Sequence, residues 1–181
     1  ALRPAVEHAA ETVGDARHAT VSAEGLPEWF KVFRVIQASE IWANHGEWIA
    51  TAKPDFGRGI RERMAWASTV EADDVTRCRR ERSSIQARLE EVLGEGDVLC
   101  LPTSPRVAPL KNSPSDDVEV RYREQAMSLL CISGLGGLPQ ISLPMGELDG
   151  LPLGLSIVAR RGGDLMLLGL ARRLMAGWDG T

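Results

Sequence analysis

The sequence from Gly137 to Ala159 reads GLPQISLPMGELDGLPLGLSIVA. It contains two segments typical of β-strands, Gln140 to Pro144 and Leu153 to Ala159, because both combine branched apolar residues with flanking glycine and proline. The connection between them includes Asp149-Gly150, a pair that suits the positive φ angles of a tight turn. These residues predict an antiparallel hairpin.

Helical periodicity lies on both sides of this hairpin. Apolar residues at steps of three and four run from Val75 to Val92 and end at Gly94, and Pro27 suits the first turn of another long helix. The apolar run in the segment from Asp97 to Leu101 predicts a short buried strand, and Asp164 is placed to cap a final helix. That helix should bury one of two sets of residues: Leu165, Leu168 and Ala171, or Leu167, Leu170 and Leu174. The alternation of helices and strands predicts an α/β fold, a mixed β-sheet covered by helices.

Composition limits the classes of function. The chain has 181 residues, 44% hydrophobic and 25% charged, which suits a single domain over residues 1–181. A net charge of −4 argues against nucleic acid as a partner, and no apolar run approaches the ~18 residues that cross a membrane. Cys78, Cys100 and Cys131 form no CxxC pair, so we predict neither a disulfide framework nor a zinc site, and we expect a cytoplasmic protein.

Several residue patterns can be tested for chemistry, and each favours a structural role. The glycine-rich segment 134–139 follows a predicted helix and enters a strand, the reverse of a phosphate-binding loop. The three histidines lack metal-ligand spacing, and Ser83-Ser84 lies within a predicted helix without a turn that would expose a nucleophile. From these patterns we predict no metal, no cofactor and no catalytic residue.

Two charged residues interrupt predicted apolar stripes. Glu40 continues the helical series of Trp29, Phe33 and Ile36, and Arg82 lies within the series from Val75 to Val92. A buried lone charge costs several kcal/mol, so each residue needs a partner. We predict a structural ion pair between Glu40 and Arg82 that joins the two long helices.

Three sequence motifs carry a family resemblance: DVLCLPTSP at 97–105, GLPQISLP at 137–144 and DGLPLGL at 149–155. Together, and in this order, they resemble the carboxy-terminal part of the amidase signature family. Glu40 and Arg82 also match positions where that family usually carries Glu and Arg. The resemblance implies the carboxy-terminal part of a single amidase-like domain. It also implies amide hydrolysis by a serine nucleophile, a second serine on a cis peptide and a lysine, none of them in this chain.

The resemblance also suggests residues that line a substrate pocket. In the family the Pro-Thr segment borders the substrate channel, which makes Thr103, Ser104 and Val107 candidates, and the aromatic ring of Trp42 adds a fourth. The alternative for Thr103 and Ser104 is a proline-flanked turn that satisfies its own backbone. Gly134 departs from the family, in which many members carry Asn at that position.

Three functions follow as alternatives. The first is part of an amidase for a small carboxamide, in which this segment completes the sheet and walls the pocket. Its partners would be the amide substrate, the missing amino-terminal part of the same protein and, in a homodimer, a second copy. The second is an amidotransferase subunit that works with partners on a tRNA-linked substrate, supported by arginines on the Val75 to Val92 helix. The third is a non-catalytic binding or assembly module.

Overall fold

The computed structural model describes residues 1–179, so the last two residues of the predicted domain 1–181 lie outside the described part. The helices are α1 (Arg3–Val13), α2 (Leu26–Ala52), α3 (Arg58–Ala67), α4 (Ala72–Val92), α5 (Arg123–Gly136) and α6 (Asp164–Ala176). A π-helical segment, Asp117–Tyr122, leads into α5. The strands are β1 (Val98–Pro102), β2 (Gln140–Leu148) and β3 (Leu151–Ala159). Among the described helices, none combines the length and the apolar character that crossing a membrane requires.

The predicted hairpin is confirmed. Strands β2 and β3 pair antiparallel, and Ser142 lies opposite Ser156. Asp149 and Gly150 form the turn with φ angles of 53° and 77°. Both residues of a two-residue type I′ turn need positive φ, a requirement that an Asp-Gly pair meets at low cost. The local chemistry of the turn therefore sets the register from Gly146 to Leu153, and an irregularity between Leu143 and Gly146 shifts it for the pairs beyond, which include Ser142 and Ser156.

Strand β1 pairs antiparallel with the other side of β3, which gives the strand order β1-β3-β2. Strands β1 and β2 point the same way and are joined through α5, as in a parallel crossover, but β3 lies between them. The predicted α/β class and the helical cover of the sheet are thus confirmed. The sheet differs from the mixed sheet that was predicted, because every strand pair within residues 1–179 is antiparallel.

The two faces of the sheet bury different helices, as the period-2 alternation of strand side chains requires. Val158 faces a core formed with α2, α4 and α5. Leu155, Ile157 and Ala159 face the opposite core, formed with α1 and α6. The sheet is therefore a central layer between two sets of helices.

Helix α6 buries one of the two predicted sets of apolar residues. Leu167, Leu170 and Leu174 are buried, whereas Leu165 and Leu168 are exposed. Asp164 is not a cap: it is the first helical residue, and no side chain caps this helix end. Its carboxylate still lies in the first turn, where a negative charge interacts favourably with the positive end of the helix dipole.

The predicted ion pair between Glu40 and Arg82 is wrong. Glu40 is exposed, and the ion pairs of residues 1–179 do not include one between these two side chains. The reason is the length of α2. At ~1.5 Å per residue this helix extends about 40 Å, and its contribution to the central core ends at Ile36. Glu40 continues the apolar stripe beyond that core.

Arg82 finds its partners in the backbone. Its Nε donates to the carbonyl oxygen of Leu135 at 2.9 Å, and a second guanidinium nitrogen lies 3.4 Å from the carbonyl oxygen of Gly134. Both acceptors belong to the last turn of α5, where carbonyls lack partners within the helix. The guanidinium therefore stabilises a helix end instead of a carboxylate.

Candidate functional site

The end of strand β1 carries Thr103, and a group of hydroxyls surrounds its side chain. The amide of Thr103 donates to the carbonyl oxygen of Gly154 at 2.9 Å, which extends the pairing with β3 by one residue. Thr103 Oγ1 lies 2.6 Å from Ser142 Oγ and 2.9 Å from Ser156 Oγ. One hydroxyl thus connects all three strands.

This group continues across the sheet towards α5. The side-chain nitrogen Nε2 of Gln140 donates to Ser156 Oγ at 2.8 Å, and Ser133 Oγ donates to the side-chain oxygen Oε1 of Gln140 at 2.5 Å. Ser156 is fully buried, and no buried side-chain polar atom within residues 1–179 lacks a hydrogen-bond partner. The polar chain formed by Ser133, Gln140, Ser142, Ser156 and Thr103 therefore holds the Thr103 hydroxyl in one place.

Gly154 makes room for this arrangement. A Cβ atom at this position would lie 2.7 Å from Ser142 Oγ and 2.8 Å from Thr103 Oγ1, closer than nonbonded atoms allow. A side chain here would displace one of the two hydroxyls. The glycine is therefore required by the close approach of Thr103 to Ser142.

The polar chain contains no group that could activate a nucleophile. Its hydrogen bonds, as described for residues 1–179, join hydroxyls and one amide, and none involves a lysine, a histidine or a carboxylate. A serine or threonine hydroxyl at its ordinary pKa is a weak nucleophile without an adjacent base. The arrangement can bind and orient a polar group, but it does not by itself form a hydrolytic centre.

The other candidate residues have different surroundings. Ser104 Oγ donates to the carbonyl oxygen of Arg106 at 2.8 Å, so this hydroxyl closes a local turn. Val107 is half-buried in the same loop. Trp42 lies on α2, where a Cβ atom on Gly46 would come within 2.9 Å of its ring. Pocket roles for Ser104, Val107 and Trp42 remain predictions.

Metal and thiol chemistry have little support in these residues. No group of His, Cys, Asp and Glu side chains among residues 1–179 is arranged to hold a metal ion. Burial raises the pKa of the Cys131 thiol to about 12 and also raises the pKa of Cys100. Neither thiol is therefore a thiolate near neutral pH, the form that a cysteine nucleophile needs.

The sequence analysis missed Gln140, Ser142, Ser156 and Ser133. A signal was present, because Gln140 and Ser142 alternate with apolar residues along one strand and mark a polar stripe on one face. That stripe becomes a site only when β3 brings Ser156 beside it and β1 adds Thr103.

Comparison with known proteins places this geometry in a family. The Amidase family model matches residues 21–168 of the chain. The chain belongs to the amidase family. Amidase 1 of Arabidopsis thaliana is 38% identical over 143 residues, a match that covers 79% of this chain and 33% of that protein.

Two further comparisons extend this result. A crystal structure of an amidase has a TM-score of 0.80 at 23% sequence identity and covers 97% of this chain and 41% of that one, which confirms the fold. A glutamyl-tRNA(Gln) amidotransferase subunit of Natranaerobius thermophilus is 32% identical over 117 residues, covering 61% of this chain and 23% of that protein. This amidase-family chain spans about a third of the length of the Amidase 1 proteins of Arabidopsis thaliana and Oryza sativa subsp. japonica.

Proposed function

We propose that this amidase-family chain is the carboxy-terminal part of an enzyme that hydrolyses a small carboxamide, with water, to a carboxylate and ammonia. Its serine nucleophile would lie in polypeptide outside residues 1–181. Two observations support this division. The chain spans 33% of Amidase 1 of Arabidopsis thaliana, and the polar chain around Thr103 contains no base.

The observation that carries the proposal is the position of the Thr103 hydroxyl, fixed by the buried Ser156 at the end of β1. Ligands of α/β proteins commonly bind beyond strand ends, where loops leave room above the sheet. A hydroxyl held there can donate to, or accept from, an amide group without first losing rotational freedom. The segment would wall the pocket and complete the sheet, while the reactive groups come from elsewhere.

The test uses the protein in the longest form that its gene encodes, with ammonia release measured on acetamide, propionamide, benzamide and phenylacetamide. Thr103→Val keeps the shape of the side chain and removes its hydroxyl. We expect kcat/KM to fall about tenfold or more, the usual effect of losing one positioned hydrogen bond. Thr51→Val is the matched control, because the Thr51 hydroxyl donates within α2 to the carbonyl oxygen of Glu47. No ammonia from any amide would overturn the proposal.

A second candidate is an amidotransferase subunit, favoured by the similarity to the glutamyl-tRNA(Gln) amidotransferase protein of Natranaerobius thermophilus. The arginine-rich face of α4 gives it partial support. Arg77 pairs with Asp74 and Glu81, and Arg88 pairs with Glu91, whereas the ion pairs of residues 1–179 include neither Arg79 nor Arg80. Ammonia release from glutamine that requires a partner protein and a tRNA-linked acceptor would favour this candidate over the amidase. A fully folded protein with neither activity would favour the binding module.

A further inference from the structure

A cleft of about 290 Å³ opens between α2, α3 and the π-helical segment. Its lining residues come from these elements, from the two residues that precede the π-helical segment and from the first turn of α5, and none of the four pocket candidates, Thr103, Ser104, Val107 and Trp42, is among them. The cleft is therefore a separate feature from the end of β1.

Four arginines line this cleft, and two of them are neutralised. Arg58 pairs with Glu62 at 3.3 Å and with Asp116 at 3.6 Å. Arg63 pairs with Glu119 at 3.0 Å, which ties α3 to the π-helical segment. These contacts build one wall of the cleft, in which three carboxylates face two arginines.

Arg34 is the third arginine, and it has no carboxylate within the 4.0 Å of an ion pair among residues 1–179. Its guanidinium instead lies 4.7 Å from the centre of the Trp66 ring and 5.7 Å from that of Phe30. Stacking on aromatic rings orients a guanidinium and leaves its N–H groups free to donate to a ligand. Arg34 is thus oriented by the two rings, and the residue is exposed to solvent.

Arg123 is the fourth arginine, and it also lacks an ion-pair partner within the described residues. It is half-buried on α5. Burial lowers the pKa of its guanidinium, and the nearby charges of Arg63 and Arg34 lower it further, against the opposing effect of Glu119. Arg123 therefore brings to the cleft a second guanidinium without a carboxylate partner, near enough to Arg34 for the two charges to repel each other.

The remaining lining is largely apolar. Side chains of Ala38, Ile41 and Met64 face the cleft, together with the ring of Trp66. One further carboxylate, that of Glu124, lines the opening and is exposed to solvent. The lining as a whole holds four arginines and four carboxylates, and within residues 1–179 it combines two guanidiniums that have no ion-pair partner, those of Arg34 and Arg123, with an apolar wall.

We propose that this cleft binds a small organic carboxylate that carries a flat apolar group, with its carboxylate between Arg34 and Arg123 and its ring against Ile41 and Met64. Guanidiniums match the planar geometry of a carboxylate and bind it through paired N–H donors. The apolar wall favours a ring over a hydrated inorganic anion, because the ring removes apolar surface from water.

The experiment is isothermal titration of the protein, in the longest form that its gene encodes, with benzoate. Acetate and inorganic phosphate supply the charge without the ring, and benzyl alcohol supplies the ring without the charge. We expect one saturable benzoate site that the other three compounds do not share, in addition to any binding of benzoate as a reaction product at the hydrolytic pocket, and weaker binding as salt screens the charges. Arg34→Gln and Arg123→Gln should each raise the Kd about tenfold or more, the effect of losing a charge-assisted hydrogen bond.

Two controls separate this site from others. Arg77→Gln removes an arginine that is already paired on α4, and the Kd should not change. Arg123→Lys keeps the charge, so it should retain part of the affinity and shows whether the site survives substitution. Thr103→Val tests the proposed hydrolytic pocket, and the benzoate Kd should not respond to it.

The proposal is overturned by three results. The first is no saturable benzoate binding, which includes the case of a cleft filled by another segment of the protein. The second is equal binding of benzyl alcohol. The third is a Kd that responds to Thr103→Val but not to the arginine substitutions, because benzoate would then occupy the hydrolytic pocket. None of these readouts depends on turnover, so failure here leaves the proposed amidase activity untouched.

Discussion

Arg82 Nε donates a 2.9 Å hydrogen bond to the carbonyl oxygen of Leu135, and this contact joins the middle of α4 to the end of α5. Gln86 donates to the same oxygen at 3.1 Å, and Arg161 donates to the next carbonyl, that of Gly136, at 3.0 Å. The last carbonyls of a helix lack partners within it and carry partial negative charge. Side chains from two other parts of the chain therefore complete the end of α5.

Replacing Arg82 with Met should lower the free energy of unfolding by about 1–3 kcal/mol, because the α5 carbonyls lose a charged donor. Glu40→Gln is the matched test of the alternative partner, and it should change stability by less than about 0.5 kcal/mol because Glu40 is exposed. Urea denaturation measures both. Equal losses of stability in Arg82→Met and Glu40→Gln, with energetic coupling in the double mutant, would show that the two side chains form an ion pair.

Gly134 should not tolerate a side chain. A Cβ atom there would lie 2.7 Å from Cε2 of Phe33, where α5 packs against α2. Gly134→Ala should therefore destabilise the protein by about 1–3 kcal/mol through overpacking. Gly169→Ala is the helical control: nothing lies within 4 Å of its Cβ position, so alanine should add about 0.5–1 kcal/mol. Thermal unfolding that showed the same change in both variants would contradict this packing.

Ser156→Ala should remove the centre of the polar chain. Thr103 and Gln140 would each lose a hydrogen bond at a fully buried position, so we expect a loss of about 1–3 kcal/mol in the free energy of unfolding. Ser142→Ala removes an exposed hydroxyl of the same chain and should cost less than about 0.5 kcal/mol. Chemical denaturation compares the two, and a larger loss in Ser142→Ala would contradict the central place of Ser156.

The stability of the protein should fall at alkaline pH. A thiol in the unfolded chain ionises near pH ~8.5, whereas burial raises the pKa of Cys131 to about 12. Above that lower pKa unfolding therefore releases a proton, and the free energy of unfolding should decrease until about pH 12. By about pH 10 the ionisation of the Cys131 thiol in the unfolded chain should have lowered the free energy of unfolding by about 2 kcal/mol.

The measurement is a series of urea denaturations from neutral pH to about pH 10 under reducing conditions, a range that covers the ionisation of the unfolded thiol. Cys131→Ala should be less stable at neutral pH, because of the cavity it leaves, but its stability should fall less steeply with pH. Parallel pH profiles for the two proteins would show that the Cys131 thiol ionises as readily in the folded state as in the unfolded one.

Local patterns predicted the parts of the fold that depend on local chemistry. Asp149-Gly150 identified the hairpin because positive φ angles suit few residue pairs, and the apolar steps from Val75 to Val92 identified α4 because a helix buries one face. The position of β3 between β1 and β2 could not be predicted in this way. It depends on pairing between residues far apart in the chain, such as Leu101 and Ser156. The residue pattern within a strand does not indicate which other strand it pairs with.

The candidate site shows the same limit. Thr103 was singled out by the family resemblance, but its partners Ser142 and Ser156 come from two other strands and depend on the register of the sheet. Arg82 was correctly expected to need a partner. Its partner is a backbone carbonyl, which every residue carries, so no pattern of residue types could indicate it.

We propose that this chain supports amide hydrolysis without containing the nucleophile. The most direct test compares residues 1–181 alone with the longest form that the gene encodes, using a fluorophosphonate that labels activated serines and an assay of ammonia release from benzamide. We predict labelling and turnover in the longer form and neither in residues 1–181. Labelling of a serine in residues 1–181 alone, with turnover that its substitution by alanine abolishes, would contradict the account.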